Sequence, residues 1–207
     1  MLRFGVSDLL KLKIRKLAKK DRPLLEILRK KGVEVLLLTD RVDEWVVAHT
    51  DEFDGTPLVS VAKGGLDLGD LADEAEKQDQ EKDASEFKDL AERMQKSLEG
   101  RVKEVRVTHR LTDSPACLVA EEHGMSANLA RILRAVGQAA PESPPILEIN
   151  PKHPVVLRLR YEESKFDDWA AVLFEQALLA EGGHLDDPAT FVKRVNQLMI
   201  EMSGQAS

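Results

Sequence analysis

Five histidines, His49, His109, His123, His153 and His184, are the side chains best suited to acid–base or metal chemistry near neutral pH, and each falls in its own segment. No two stand one helical turn apart, the spacing that brings a pair of imidazoles onto one ion. Glu121-Glu122-His123 is the densest local cluster, but it lies where a strand passes into a helix and surface charge is ordinary. It reads as a solvated turn, so the sequence predicts no catalytic residue and no metal ligand. A hydrolase built on these three residues is the last of the alternatives. Phosphate cradles are missing too: Lys63-Gly64-Gly65 lacks the Walker pattern, and Gly182-Gly183 follows a helix rather than a strand. Cys117, the one cysteine, runs into Leu118 and Val119 and reads as a small buried hydrophobe. With no partner for a disulfide, it suits a reducing compartment.

The elements that must position these residues are those of a soluble globular protein. A chain of 207 residues, 43% hydrophobic and 32% charged, allows one or two domains with a real core. Its net charge of -7 argues against a general nucleic-acid binder, whose face onto phosphates is basic. No apolar run reaches the roughly 18 residues needed to span a membrane. Residues 1–20 stand apart as a basic amphipathic leader, in which Leu2, Val6, Leu9, Leu10, Ile14 and Leu17 recur at helical spacing among lysines and arginines. It does not fit a secretory signal; an incidental helix or tail is expected, with a membrane-surface anchor as the alternative.

Residues 24–31 then read as a short amphipathic helix, 33–39 as a strand apolar enough to be covered on both faces, 40–49 as a helix, and 58–61 as a second strand. The stretch 63–82, dense in Asp, Glu, Lys and Gln, reads as a junction, part loop and part solvated helix. A helical stripe of Phe87, Leu90, Ala91, Met94 and Leu98 follows. After it come two strands around a turn, near 102–108 and 116–120, a helix over 127–136, a strand at 145–149, and three helices. This alternation in bursts predicts an α+β second half after a small α/β unit. Asn150 and Asp187, each before a proline, are the predicted N-caps of two of the last helices.

Gly182-Gly183 makes the final two helices an antiparallel hairpin. On the first, Phe166, Trp169, Val172, Leu173, Phe174, Ala177 and Ala180 cover more than one stripe. On the second, Phe191, Val195, Leu198, Met199 and Met202 form a stripe with Val192 and Ile200 beside it. A helix apolar over more than half its circumference needs two surfaces to bury against. One is its own domain; the other is predicted to be the same hairpin in a second copy, an isologous four-helix bundle.

Three blocks carry a family resemblance: Val35-Leu-Leu-Leu-Thr-Asp-Arg-Val-Asp-Glu-Trp45, Arg101-Val-Lys-Glu-Val-Arg-Val-Thr-His-Arg-Leu-Thr-Asp-Ser-Pro-Ala-Cys-Leu-Val119 and Glu175-Gln-Ala-Leu-Leu-Ala-Glu-Gly-Gly-His-Leu-Asp-Asp-Pro188. In order and spacing, from about residue 22 to about residue 202, the chain resembles the C-terminal part of the heat shock protein 90 chaperones of the bacterial HtpG type. The resemblance implies that 21–65 is the end of the middle domain, 66–82 a charged junction and 83–207 a C-terminal dimerisation domain. It implies a homodimer through Trp169, Leu173, Ala177, Phe191, Val195, Leu198, Met199 and Met202. It also implies contact with unfolded client polypeptides through Glu44, Trp45, Met125, Leu129, Ile132 and Leu133. From periodicity alone the 125–136 helix would be read as core. Ala48 stands where the bacterial chaperone has a polar client contact, which leaves the apolar part of that patch.

ATP and magnesium belong to a domain that the resemblance places upstream, so this stretch is expected to hold no cofactor and to be no enzyme. The family role is protein folding under stress. The ending Met202-Ser-Gly-Gln-Ala-Ser207 lacks the acidic tail of eukaryotic cytosolic members, which suggests a bacterial cytoplasmic setting. The expected function is passive holding of non-native chains by a dimer. The alternatives are a regulatory partner of the full-length chaperone and a membrane-surface adaptor working through residues 1–20.

Overall fold

Three short strands rich in Val, Leu and Ile set the centre of the fold. The computed structural model describes residues 23–33, 35, 46, 49–50, 52–53, 56–58, 60–65, 74–122, 124, 130, 133, 137–138 and 143–204. The predicted strand at 33–39 and the helices at 40–49 and 125–136 lie almost wholly outside these residues; Val46, Ala130 and Leu133 are described, and each is helical. The described elements are a 3-10 turn at Pro23–Leu25 that runs into α1 (Glu26–Lys30), the pair β1 (Glu52–Phe53) and β2 (Thr56–Pro57), α2 (Glu74–Glu86), α3 (Lys88–Ser97), β3 (Glu104–Val107), β4 (Ala116–Val119), β5 (Ile146–Ile149), α4 (Pro154–Leu159), α5 (Phe166–Ala180) and α6 (Pro188–Gly204). This is the α+β class that the sequence predicts, with a small sheet and a terminal helical hairpin.

The sheet supplies a pairing that the sequence leaves open. The two strands around the turn do not pair with each other: β5 lies between them, parallel to β3 and antiparallel to β4. Alternation reports which face a residue takes, and says nothing of which strand is its neighbour. Two smaller differences follow the same logic. Where 58–61 was expected as a strand, the pairing falls at Thr56–Pro57 against Glu52–Phe53, and Val61 is in a turn. The solvated helix expected within the charged stretch 63–82 is present as α2, and it extends four residues past Lys82, to Glu86.

One face of the sheet, with Val105, Ala116, Leu118, Leu147 and Ile149, packs on Leu90 and Met94 of α3 and Leu98 just after it, Val156 and Leu159 of α4, and Phe166, Ala170, Leu173, Phe174 and Ala177 of α5. The other face, with Cys117, Val119 and Ile146, is covered by Leu24 and Ala62 from the N-terminal unit and by Leu111. Covered on both sides, β4 and β5 are buried throughout. That is why β4 reads as a continuous apolar run in sequence, and β5 as one broken only at Glu148.

Helix ends show both a correct and a mistaken reading. Asp187 caps α6 as predicted, its carboxylate accepting from the Thr190 backbone N–H at 3.0 Å and from the Thr190 hydroxyl at 2.6 Å. Asn150 does not cap: its side chain accepts from the Lys152 backbone N–H in a local turn, and α4 starts one proline later. His153 is the N-cap, its Nδ1 accepting from the Val155 N–H at 3.2 Å with Pro154 in the first helical position. Two prolines three residues apart gave the sequence two equivalent starts.

Between α5 and α6 both glycines are required. Gly182 has φ of +80°, and a Cβ on Gly183 would sit 2.4 Å from Leu178. Their N–H groups donate to the Leu179 and Leu178 carbonyls and close the end of α5.

Candidate functional site

The most concentrated chemistry lies on the sheet face that meets the N-terminal unit. Glu148 is in the middle strand, in register with Arg106 on one side and Cys117 on the other, and is 2% exposed. Arg106 donates to its Oε1 through Nε at 3.0 Å and through Nη2 at 2.7 Å. The buried Arg110 places its Nε 2.6 Å from Oε2, a charge contact without the alignment of a hydrogen bond, and donates to Oε1 through Nη2 at 3.3 Å. One carboxylate between two guanidiniums leaves donors over, and these turn to main-chain oxygens: Arg110 Nη1 to Val61 O at 2.7 Å, and Arg106 Nη2 to Gly64 O at 2.9 Å. Gly64 is held from its other side as well, its N–H donating to Ala120 O at 2.8 Å with φ of +60°. Gly64 of Lys63-Gly64-Gly65 thus ties the 61–65 loop to the sheet.

Cys117 is fully buried, as predicted. Burial first, and then the Glu148 carboxylate, whose Oε2 lies 3.8 Å from Sγ, push its thiol pKa well above the usual range. It has the environment of a structural thiol, the opposite of an activated nucleophile.

A second anchor crosses the same boundary. The Glu26 carboxylate at the start of α1 accepts from the backbone N–H groups of Thr112 at 2.6 Å, Asp113 at 2.8 Å and Ser114 at 3.2 Å, and from the Ser114 hydroxyl at 2.5 Å. Successive N–H groups converging on one anion form a nest. Burial raises the Glu26 pKa, but the Ser114 hydroxyl and the three N–H groups together outweigh it and leave the pKa lowered.

The residues expected at a dimer interface separate into three groups. Leu173, Ala177 and Leu198 are buried within the single chain, and Trp169 packs on the main core with Arg158 over its ring. Phe191 and Val195 are half-buried. Met199, at 62% exposure, and Met202 are open, together with Val192 and Ile200. Most of the wide apolar surface of α5 is thus filled by the sheet, α3 and α6 of its own chain, Leu179 and Ala180 at its end staying exposed, and the larger open apolar surface is on α6. Glu175 fixes this arrangement: buried on α5, it receives Arg101 Nη2 at 2.9 Å and Arg194 Nη1 at 3.2 Å, while Arg194 Nε donates to Asp168 at 3.1 Å.

Of the expected client contacts, Glu44, Trp45, Met125, Leu129 and Ile132 lie outside the described residues. Leu133 is helical and half-buried. Glu121 of the Glu121-Glu122-His123 cluster is paired with Lys103. Among the described residues no three His, Cys, Asp or Glu side chains converge on a metal position, and no described helix is long and apolar enough to cross a membrane.

Sequence reasoning missed Glu148, Arg106, Arg110, Glu26, Glu175 and Arg194. A signal existed for one of them: Glu148 interrupts Ile146-Leu147-Glu148-Ile149, and a charge inside a doubly covered strand demands a partner.

Glu148→Gln leaves two guanidiniums at the sheet without a counter-charge and is expected to destabilise by about 3–5 kcal/mol, read as a lower denaturant midpoint at unchanged slope. A loss under about 1 kcal/mol would show that water neutralises the arginines and that the buried network is not the anchor. Glu26→Gln tests the nest by its pH dependence. A depressed folded pKa stabilises above the unfolded value of 4.5 and is lost as pH falls through the folded value. Wild type should therefore exceed the variant by about 1 kcal/mol at pH 7, after discounting for partial exposure, and the two curves should meet in acid. Parallel curves down to pH 2 would contradict the assignment.

Residues 14–206 match the family described as Hsp90 protein, so the match takes in the end of the basic leader as well. The chaperone protein HtpG of Aromatoleum aromaticum is 73% identical over 189 residues, covering 91% of this chain and 29% of that protein. The HtpG proteins of Dechloromonas aromatica and Nitrosomonas europaea are 67% and 58% identical, covering 91% and 89% of this chain and 30% and 29% of their own lengths. The chain thus spans about 30% of the curated relatives it matches. On a match of this extent and identity, the chain belongs to the Hsp90 family of chaperones, on its bacterial HtpG branch.

Proposed function

We propose that this chain is a dimerising, client-holding part of a bacterial cytoplasmic chaperone, with the terminal hairpin as the site of self-association. The observation that carries the reading is the state of α6. Leu198 is the one side chain buried among those described along its 17 residues, while Val192, Met199, Ile200 and Met202 stand open. An amphipathic helix of this length is stable when its apolar side is packed, and α6 is packed along only one edge. A second copy presenting the same face satisfies both helices at once under two-fold symmetry. Holding of non-native chains would use the 125–136 helix and the Trp45 region, as their family resemblance implies. The glycines at 64 and 65 form no phosphate cradle, so these residues alone should bind and turn over no ATP.

Leu198 is a poor probe of this interface, because Leu198→Asp puts a charge into the chain's own packing. Val192→Asp with Ile200→Asp alters only exposed positions. Light scattering across a dilution series should find a wild-type dimer and a folded monomer for the double variant, with dimer affinity weakened at least about a hundredfold, since each buried aliphatic contributes about 1.5–3 kcal/mol. The wild type should also delay aggregation of a heat-unfolded enzyme more than the variant does. A wild type that remains monomeric at high micromolar concentration would remove the reading. Phosphate release from ATP should stay at the buffer rate; turnover that scales with the chain's concentration would overturn the last part of it.

A further inference from the structure

Helix α2 has no apolar reason to be where it is. Its sequence, Glu-Ala-Glu-Lys-Gln-Asp-Gln-Glu-Lys-Asp-Ala-Ser-Glu, is polar all round, and none of its described side chains is buried. A polar helix of 13 residues is marginal in water by itself. Its inward side is a stripe of four carboxylates at positions 76, 79, 83 and 86, the three-and-four spacing that in other helices belongs to apolar residues. Three meet a lysine or arginine and the fourth an imidazole whose pKa burial lowers, each from a different part of the body. Glu76 pairs with Lys31 after α1 at 2.8 Å, and Asp79 with Lys152 before α4 at 3.4 Å. Asp83 meets the His109 imidazole after β3 at 3.3 Å, and Glu86 pairs with Arg160 after α4 at 2.8 Å. Gln80, Glu81 and Ala84 of α2 form one wall of a polar cleft whose other wall includes Arg106, His109, Arg110 and Glu148.

We propose that α2 is a strap held by charge, closed over the arginine pair at the junction of the two units and released as ionic strength rises. Apposed surface ions are weak singly and are screened by salt, the Debye length falling from about 10 Å at 0.1 M to about 3 Å at 1 M. Burial of apolar surface, which holds α3 through Leu90 and Met94, does not weaken with salt in this way. Because the free helix is marginal, undocking and unwinding are one event. Release turns Glu74–Glu86 into a connector and opens the cleft to solvent.

The test is amide hydrogen exchange, read by mass spectrometry on the full chain, for the wild type and for Glu76→Gln with Glu86→Gln. These replacements keep shape and helix propensity and remove two of the four charges. Exchange within Glu74–Glu86 should quicken about tenfold between 0.1 M and 1 M sodium chloride, and by a similar factor in the variant at 0.1 M, with little further response to salt. Amides of Lys88–Ser97 should keep their protection throughout. Salt-independent exchange in α2, wild-type rates in the variant, or loss of protection in α2 and α3 together would each overturn the proposal. The first two would mean that charge does not hold the helix, and the third that it has no movement of its own.

Discussion

The carboxylate of Glu148, 2% exposed in the middle strand of a small sheet, is the constraint on which the rest of the arrangement turns. A lone anion there would be severely penalised, and two guanidiniums make it tenable. Those guanidiniums bring more donors than one carboxylate can accept, and an unused buried donor carries its own penalty. The surplus reaches the carbonyls of Val61 and Gly64, which belong to the unit before the junction. The sheet therefore cannot satisfy its own polar groups, and the loop at 61–65 completes it. Glu26 repeats the pattern in reverse, with an anion from the N-terminal unit drawn into N–H groups of the loop after β3. Directional polar contacts fix the register between the units, while the apolar contribution there, centred on Leu24, Cys117 and Val119, is small.

What the sequence disclosed follows from what periodicity measures. The α+β class, the strands around Val105, Leu118 and Leu147, the long helix of Phe166 and Phe174 and the Asp187 cap were all legible, because each depends on residues near in sequence. The neighbour relations were not. That β5 inserts between β3 and β4 depends on contacts between residues some forty positions apart, as Arg106 and Glu148 are. The choice of His153 over Asn150 as a cap depends on where the chain must turn after leaving β5. The buried ion pairs were illegible for the same reason: arginine and glutamate are surface residues by default, and only the fold reveals which ones it has enclosed.

The terminal hairpin shows the limit of reading apolar surface as interface. The composition of α5 demands two covering surfaces, and the sequence assigned one of them to a second molecule. In the fold both are met inside one chain, by the sheet and α3 on one side and α6 on the other, with Glu175 between Arg101 and Arg194 holding α6 in place. The demand does not vanish; it moves outward, because α6 covers α5 with one edge and is left with Val192, Met199 and Ile200 uncovered. A buried ion pair is an exacting way to dock a helix, since it holds in one geometry where a greasy contact tolerates several. Fixing the angle of α6 in this way presents its open face in one orientation, as the proposed two-fold partner would require, because in a two-fold interface any error in one copy is repeated in the other.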